Sequence, residues 1–123
     1  MKAVLHKMIK HLESAPVESH SFSRLAYTAL YGKHIDATFH VGKVSPSTVD
    51  GQATSNHAWL ESLGYIIDFR AINSVSSNAP YGVFTHKEAL EKGFIYEGEV
   101  KPISPLDDHV ITFLTATTPT LID

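Results

Sequence analysis

The stretch NHAWLESLGYIIDFRA, Asn56 to Ala71, sets a histidine and an aspartate at the outer ends of two apolar, aromatic-rich runs separated by one glycine. An imidazole whose one ring nitrogen is held by a carboxylate has a fixed tautomer, and its other nitrogen is left free to act as a base. His57 and Asp68 are the residues that could do this. The plainer alternative is an ordinary cross-strand pair, worth a few tenths of a kcal/mol. The chain holds eight histidines and no cysteine, so thiolate nucleophiles, disulfides and zinc–thiolate sites are ruled out.

The two runs must be strands of one hairpin for the pair to meet. Placing Ser62 and Leu63 in the turn sets Leu60 opposite Tyr65, Trp59 opposite Ile66, Ala58 opposite Ile67 and His57 opposite Asp68. Directly opposed residues share a face, with Cβ atoms about 4.5–5.5 Å apart. Ser-Leu is not the Asn-Gly type of turn that two-residue hairpins favour.

Around the hairpin, Met1, Val4, Leu5, Met8, Ile9 and Leu12 follow the rhythm of an amphipathic helix that Ser14 to Pro16 ends. SHSFSRLAYTALYGK reads as a second helix with a Phe22, Leu25, Ala26, Ala29 and Leu30 stripe, Ser19 or Ser21 as N-cap and Gly32 as C-cap. His34 to Val41 alternates apolar and polar residues, the pattern of a half-buried strand. Lys43 to Asn56 is polar and turn-rich and is expected as an exposed loop, and AINSVSSNAPYGVF as a second irregular stretch. Thr85 and Glu88 fit a capping box closed by Gly93, FIYEGEV fits a strand, and SPLDDHVITFLTA fits a closing helix with Ser104 as N-cap, Pro105 at N1 and Asp107 at N3. That helix would carry a stripe of Leu106, Val110, Phe113 and Leu114. The order predicts one α+β domain over residues 1–123, with helix packed on a mainly antiparallel sheet.

The bulk numbers describe an ordinary globular chain: 123 residues, 43% hydrophobic, 19% charged, net charge −3. Its ten Lys and Arg are scattered without the basic stripe of a nucleic-acid binder. No apolar run approaches the ~18 residues of a membrane span. MKAVLHKMIKHLESAP is interrupted too often by lysine and histidine to serve as a signal peptide, which makes the cytoplasm the expected location. None of the histidines shows a ligand spacing such as H-E-x-x-H, so neither a metal nor another cofactor is expected. His6, His11, His86 and His109 are expected to face solvent.

His-Ala-Trp, then glycine, then Ile-Ile-Asp resembles the transglutaminase-like branch of the papain-like cysteine peptidase superfamily. The phrases IIDFRA and APYGVF look most like its small bacterial or phage members. The resemblance runs from Ser19 to Ala71, about half of the chain. It implies a papain/transglutaminase-like core, an acyl-transfer or amide-hydrolase activity on a peptide or protein, His57 as catalytic base and Asp68 as its orienter. It also implies a cysteine nucleophile at the start of the upstream helix, where exposed N–H groups lower a thiol's pKa. Ser21 is the best match to that position, with Ser19 and Ser23 as alternatives. Backbone N–H groups at the same helix start would form an oxyanion hole.

With serine in the thiol's place, three readings stay open: an engineered replacement, a natural non-catalytic relative, or a serine hydrolase. The first two predict little or no turnover. The rival function is a binding module that holds a peptide or small ligand in the same cleft. Around the expected triad, His20 adjoins the nucleophile, Trp59 shares the face of His57 as core packing or a substrate platform, Arg70 pairs with Asp68 or binds a carboxylate, and Tyr81 lines the cleft.

Overall fold

The computed structural model describes residues 1–46 and 54–115. Apolar spacing places the first two helices. Helix α1 (Lys2–Ile9) buries Leu5 and Ile9, and a 3-10 turn over Lys10–Leu12 buries Leu12. Helix α2 (Ser19–Tyr31) buries Phe22, Leu25, Ala26 and Leu30. Its cap is neither Ser19 nor Ser21. Glu18 is the N-cap, its carboxylate accepting hydrogen bonds from the backbone N–H groups of His20 and Ser21 at 2.9 Å each. Gly32 closes the helix in right-handed conformation, and the left-handed turn-out falls on His34, φ 60°.

The strands are β1 (Thr38–Pro46), β2 (Thr54–Ser62), β3 (Tyr65–Asp68), β4 (Gly82–Phe84) and β5 (Phe94–Lys101). All neighbours pair antiparallel, in the order β4-β3-β2-β1-β5. One face carries Leu60, Ile67 and Val83 against Leu5, Ile9, Phe22 and Leu25 of the helices. The other carries Val44, Trp59, Ile66, Phe84 and Tyr96, covered by Ala71, Ala79 and Ala89. This is an α+β fold on an antiparallel sheet. Among the described residues no helix is long and apolar enough to cross a membrane.

Several boundaries differ from the sequence expectation. Much of the supposed Lys43–Asn56 loop is strand: β1 runs on to Pro46 because β5 pairs with it as far as Pro46↔Phe94, and β2 begins at Thr54. The remaining positions, 47–53, lie outside the described residues. The stretch expected to be irregular forms a single helical turn, α3 (Ala71–Ser74), and the edge strand β4, whose three residues pair with Ile66–Asp68. Thr85 and Glu88 do form the capping box that opens α4 (His86–Glu91). Helix α5 (Asp108–Thr115) begins later than expected. Asp107 Oδ1 accepts from the Val110 N–H, while the Ser104 carbonyl and hydroxyl are occupied by the Arg24 guanidinium. Its packed residues are Ile111 and Leu114, with Leu106 packed just ahead of the helix, while Val110 and Phe113 of the expected stripe are exposed.

The hairpin register is corrected by two residues. Leu60 pairs with Ile67, Glu61 with Ile66 and Ser62 with Tyr65, so the turn is Leu63-Gly64. Both turn residues have positive φ, 54° and 86°, the pattern of a type I′ turn whose twist matches the strands.

Candidate functional site

Moving the register by an even number leaves every side chain on its expected face. Continued one step, the pairing sets Trp59 opposite Asp68, with His57 the diagonal neighbour. Diagonal Cβ atoms lie about 7–8 Å apart, a span an imidazole and a carboxylate can close between them. His57 Nε2 stands 2.7 Å from Asp68 Oδ2, with both side chains 1% exposed.

A carboxylate this deeply buried must be compensated. Asp68 Oδ2 also accepts from the Tyr96 hydroxyl at 2.8 Å, and Oδ1 accepts from the N–H groups of Arg70 at 2.9 Å and Ala71 at 3.1 Å. The last two bonds open α3, turning the chain directly after the aspartate. Burial, and then the adjoining Asp68 carboxylate, push the Tyr96 phenol far above the ordinary tyrosine range. It therefore serves as a permanent donor.

Because the carboxylate accepts from Nε2, the neutral ring keeps its lone pair on Nδ1. Nδ1 meets the Ser74 hydroxyl at 3.2 Å. That hydroxyl also lies 3.1 Å from the Arg70 carbonyl. With a neutral imidazole it donates to Nδ1. With an imidazolium it accepts from Nδ1 and turns its proton to the carbonyl. The network accommodates both charge states of His57 without a heavy atom moving.

Ser74 is exposed and opens on a cavity of about 500 Å³ that Ser19, Glu13, Glu18, Arg70 and Asn73 also line. Ser19, the first residue of α2, is buried, and its Oγ accepts from the Ala58 N–H at 3.2 Å. Next to His57, then, the tip of α2 is fastened to β2 beyond the last β2–β3 pair. Arg70 secures the segment leading to it, donating from its guanidinium to the carbonyls of Ala15 at 2.7 Å and Val17 at 2.8 Å, 4.4 Å over the Phe22 ring. Burial lowers the Arg70 pKa, against the opposing pull of Asp68 and Glu13.

The structure separates other expected site residues from this cavity. Ser21 lines a different hollow, of about 430 Å³, with His20, Arg24 and Phe39. An α-helix turns about 100° per residue, so Ser21 stands roughly 200° round the axis from Ser19. The residue at the tip of α2 that is hydrogen-bonded to β2, at the Ala58 N–H, is therefore Ser19, and Ser23 is buried inside the helix packing. His20 lies 3.3 Å from Glu18 and edge-on to Phe39, in the same separate hollow. Trp59 is core: 1% exposed, stacked on His57 and edge-on to Tyr96, its indole N–H donating to Glu61. Arg70 is turned to backbone carbonyls rather than free for a ligand. Tyr81 packs edge-on to Phe69 and donates to Glu13, outside the cavity lining. His6, expected in solvent, packs on Phe69.

The expected oxyanion hole is also changed. The N–H groups of His20 and Ser21 are held by Glu18. Hydrogen bonds from Ser21 and His20 outweigh the opposing effect of burial and hold that carboxyl below its ordinary value. The sequence alone does not point to Ser74. The one signal for it is Asp68 followed by a turn-forming stretch, which an Asx-type cap would convert into a helical turn returning beneath the hairpin. Among the described residues no three His, Cys, Asp or Glu side chains are grouped to hold a metal ion.

Comparisons of the chain with family models, with curated proteins and with solved structures find no match.

Proposed function

We propose that the chain is a papain/transglutaminase-like acyl-transfer scaffold for a peptide or amide, with a hydroxyl where the thiol belongs. The supporting observation is the bond from His57 Nε2 to Asp68, which leaves Nδ1 to the Ser74 hydroxyl, and Ser74 lines a cavity that the first residue of α2 also lines. In this reading His57 is general base and then general acid, Asp68 fixes its tautomer, and Ser19 holds the nucleophile's place. A serine hydroxyl stays protonated near neutral pH, and Glu18 occupies the N–H groups that would receive an oxyanion. Turnover of peptides is therefore expected to be slight or nil. The natural partner is a peptide or protein in the cytoplasm, with no role for nucleic acid or membrane.

The test is Ser19→Cys, assayed for amide hydrolysis or amine transfer that iodoacetamide abolishes. Thiol-dependent turnover is the expected result. A folded Ser19→Cys protein with no such activity would remove the reading. The Glu18 carboxylate at the helix start supports the second reading, a non-catalytic binding cleft, because it disfavours an oxyanion there. On that reading His57→Ala weakens peptide binding modestly and Ser19→Cys stays inert.

A further inference from the structure

We infer that Ser74 is a nucleophile in its own right, acylated by esters and thioesters with weakly basic leaving groups. The inference rests on the same His57–Asp68 base as the proposed function, but not on the helix-tip position. Ser74, His57 and Asp68 form a continuous hydroxyl–imidazole–carboxylate line, 3.2 Å and 2.7 Å between successive atoms. The two inner members are buried while Ser74 is an exposed residue lining the cavity, the arrangement in which a base is held rigid beside a nucleophile at a substrate-accessible position. The Arg70 carbonyl at 3.1 Å gives the hydroxyl a second acceptor, so its proton exchanges between two partners already in place.

The choice of substrate follows from what the site lacks. Glu18 holds the first N–H groups of α2, so they do not receive a tetrahedral oxyanion, and a strongly basic amine would leave poorly. A weakly basic phenolate or thiolate leaves without a proton and needs less oxyanion support. With 4-nitrophenyl acetate, a bond forms between Ser74 Oγ and the acetyl carbon, and the bond to 4-nitrophenolate breaks. The serine proton passes to His57 Nδ1 and then to solvent. Water attacking the acetyl-serine, with its proton taken by the same nitrogen, releases acetate and restores the hydroxyl.

The experiment uses the full chain and 4-nitrophenyl acetate, following the nitrophenolate burst and mapping the acetyl group by peptide mass spectrometry. A burst approaching one equivalent, with acetyl on Ser74, is expected. Ser74→Ala should abolish it, and His57→Gln should slow it by about 10²-fold or more, the usual contribution of a general base. Circular dichroism checks that both variants fold, and Ser74→Thr, which keeps a hydroxyl, should retain part of the burst if His57→Gln proves unstable. Acetyl groups spread over lysines at rates unchanged in Ser74→Ala would overturn the inference, as would acetylation confined to Ser19. Acetylated Ser74 with an inert Ser19→Cys sinks only the papain-like reading. The reverse result sinks only this one.

Discussion

Asp68 meets His57 diagonally across the β2–β3 hairpin, Oδ2 to Nε2 at 2.7 Å, and the same oxygen takes the Tyr96 hydroxyl at 2.8 Å. One carboxylate thereby joins β2, β3 and β5, and through its other oxygen starts α3. The aspartate is at once the orienter of a base and the most heavily hydrogen-bonded buried group on its sheet face. Activity and stability are therefore coupled at this residue.

Asp68→Asn separates geometry from charge. The amide is close in shape, but one of its two heads is a donor, and every group around Asp68 is also a donor. At least one buried N–H or O–H loses its acceptor, and the His57 tautomer is no longer imposed. The expected cost is about 3 kcal/mol, in the range for breaking a buried charged hydrogen-bond network. Urea denaturation measures it. A loss under about 1 kcal/mol would mean that the cluster is not the tightly coupled unit described.

Tyr96→Phe tests the same centre from β5. Losing one hydroxyl bonded to a charged acceptor should cost about 2 kcal/mol. It should also change the alkaline limb of stability. The folded-state pKa of Tyr96 is raised, by burial first and by the Asp68 carboxylate next. The neutral phenol's contribution is thus complete below about pH 10, where an unfolded tyrosine titrates, and declines as pH rises beyond it. In Tyr96→Phe that decline should be shallower. Parallel stability curves for the two proteins above pH 10 would contradict the assignment.

The face shared by His57 and Asp68 is legible in the sequence because β-strand side chains alternate with a period of two, and an even register error cannot separate them. The nucleophile's place is not legible in the same way. Whether position 19 or 21 adjoins β2 depends on where α2 starts, and that is settled by Glu18 capping it, a role the sequence suggests for serine more readily. Elements as short as α3 and β4 carry too few residues for any periodicity. Ser74 reaches His57 only through the backbone turn that Asp68 itself organises. Arg70 looks like a ligand for anions, yet three backbone carbonyls, two of them in the α1–α2 connection, take bonds from its guanidinium.

The hairpin turn stores strain that can be removed without touching the site. Leu63 is 53% exposed and held at φ 54°, a left-handed conformation costing a branched L-residue about 1–2 kcal/mol. Gly64, at φ 86°, already satisfies the second turn position. Leu63→Asn creates the Asn-Gly pair that type I′ turns favour and should stabilise the fold by about 1 kcal/mol, raising the thermal midpoint by about 4 °C. Trp59, the single tryptophan, lies on the strand leading into this turn, so its fluorescence reports any change of register. The emission of the native variant should match that of the parent chain. A stability gain accompanied by altered tryptophan emission would instead signal a slipped hairpin, and with it a different relation between His57 and Asp68.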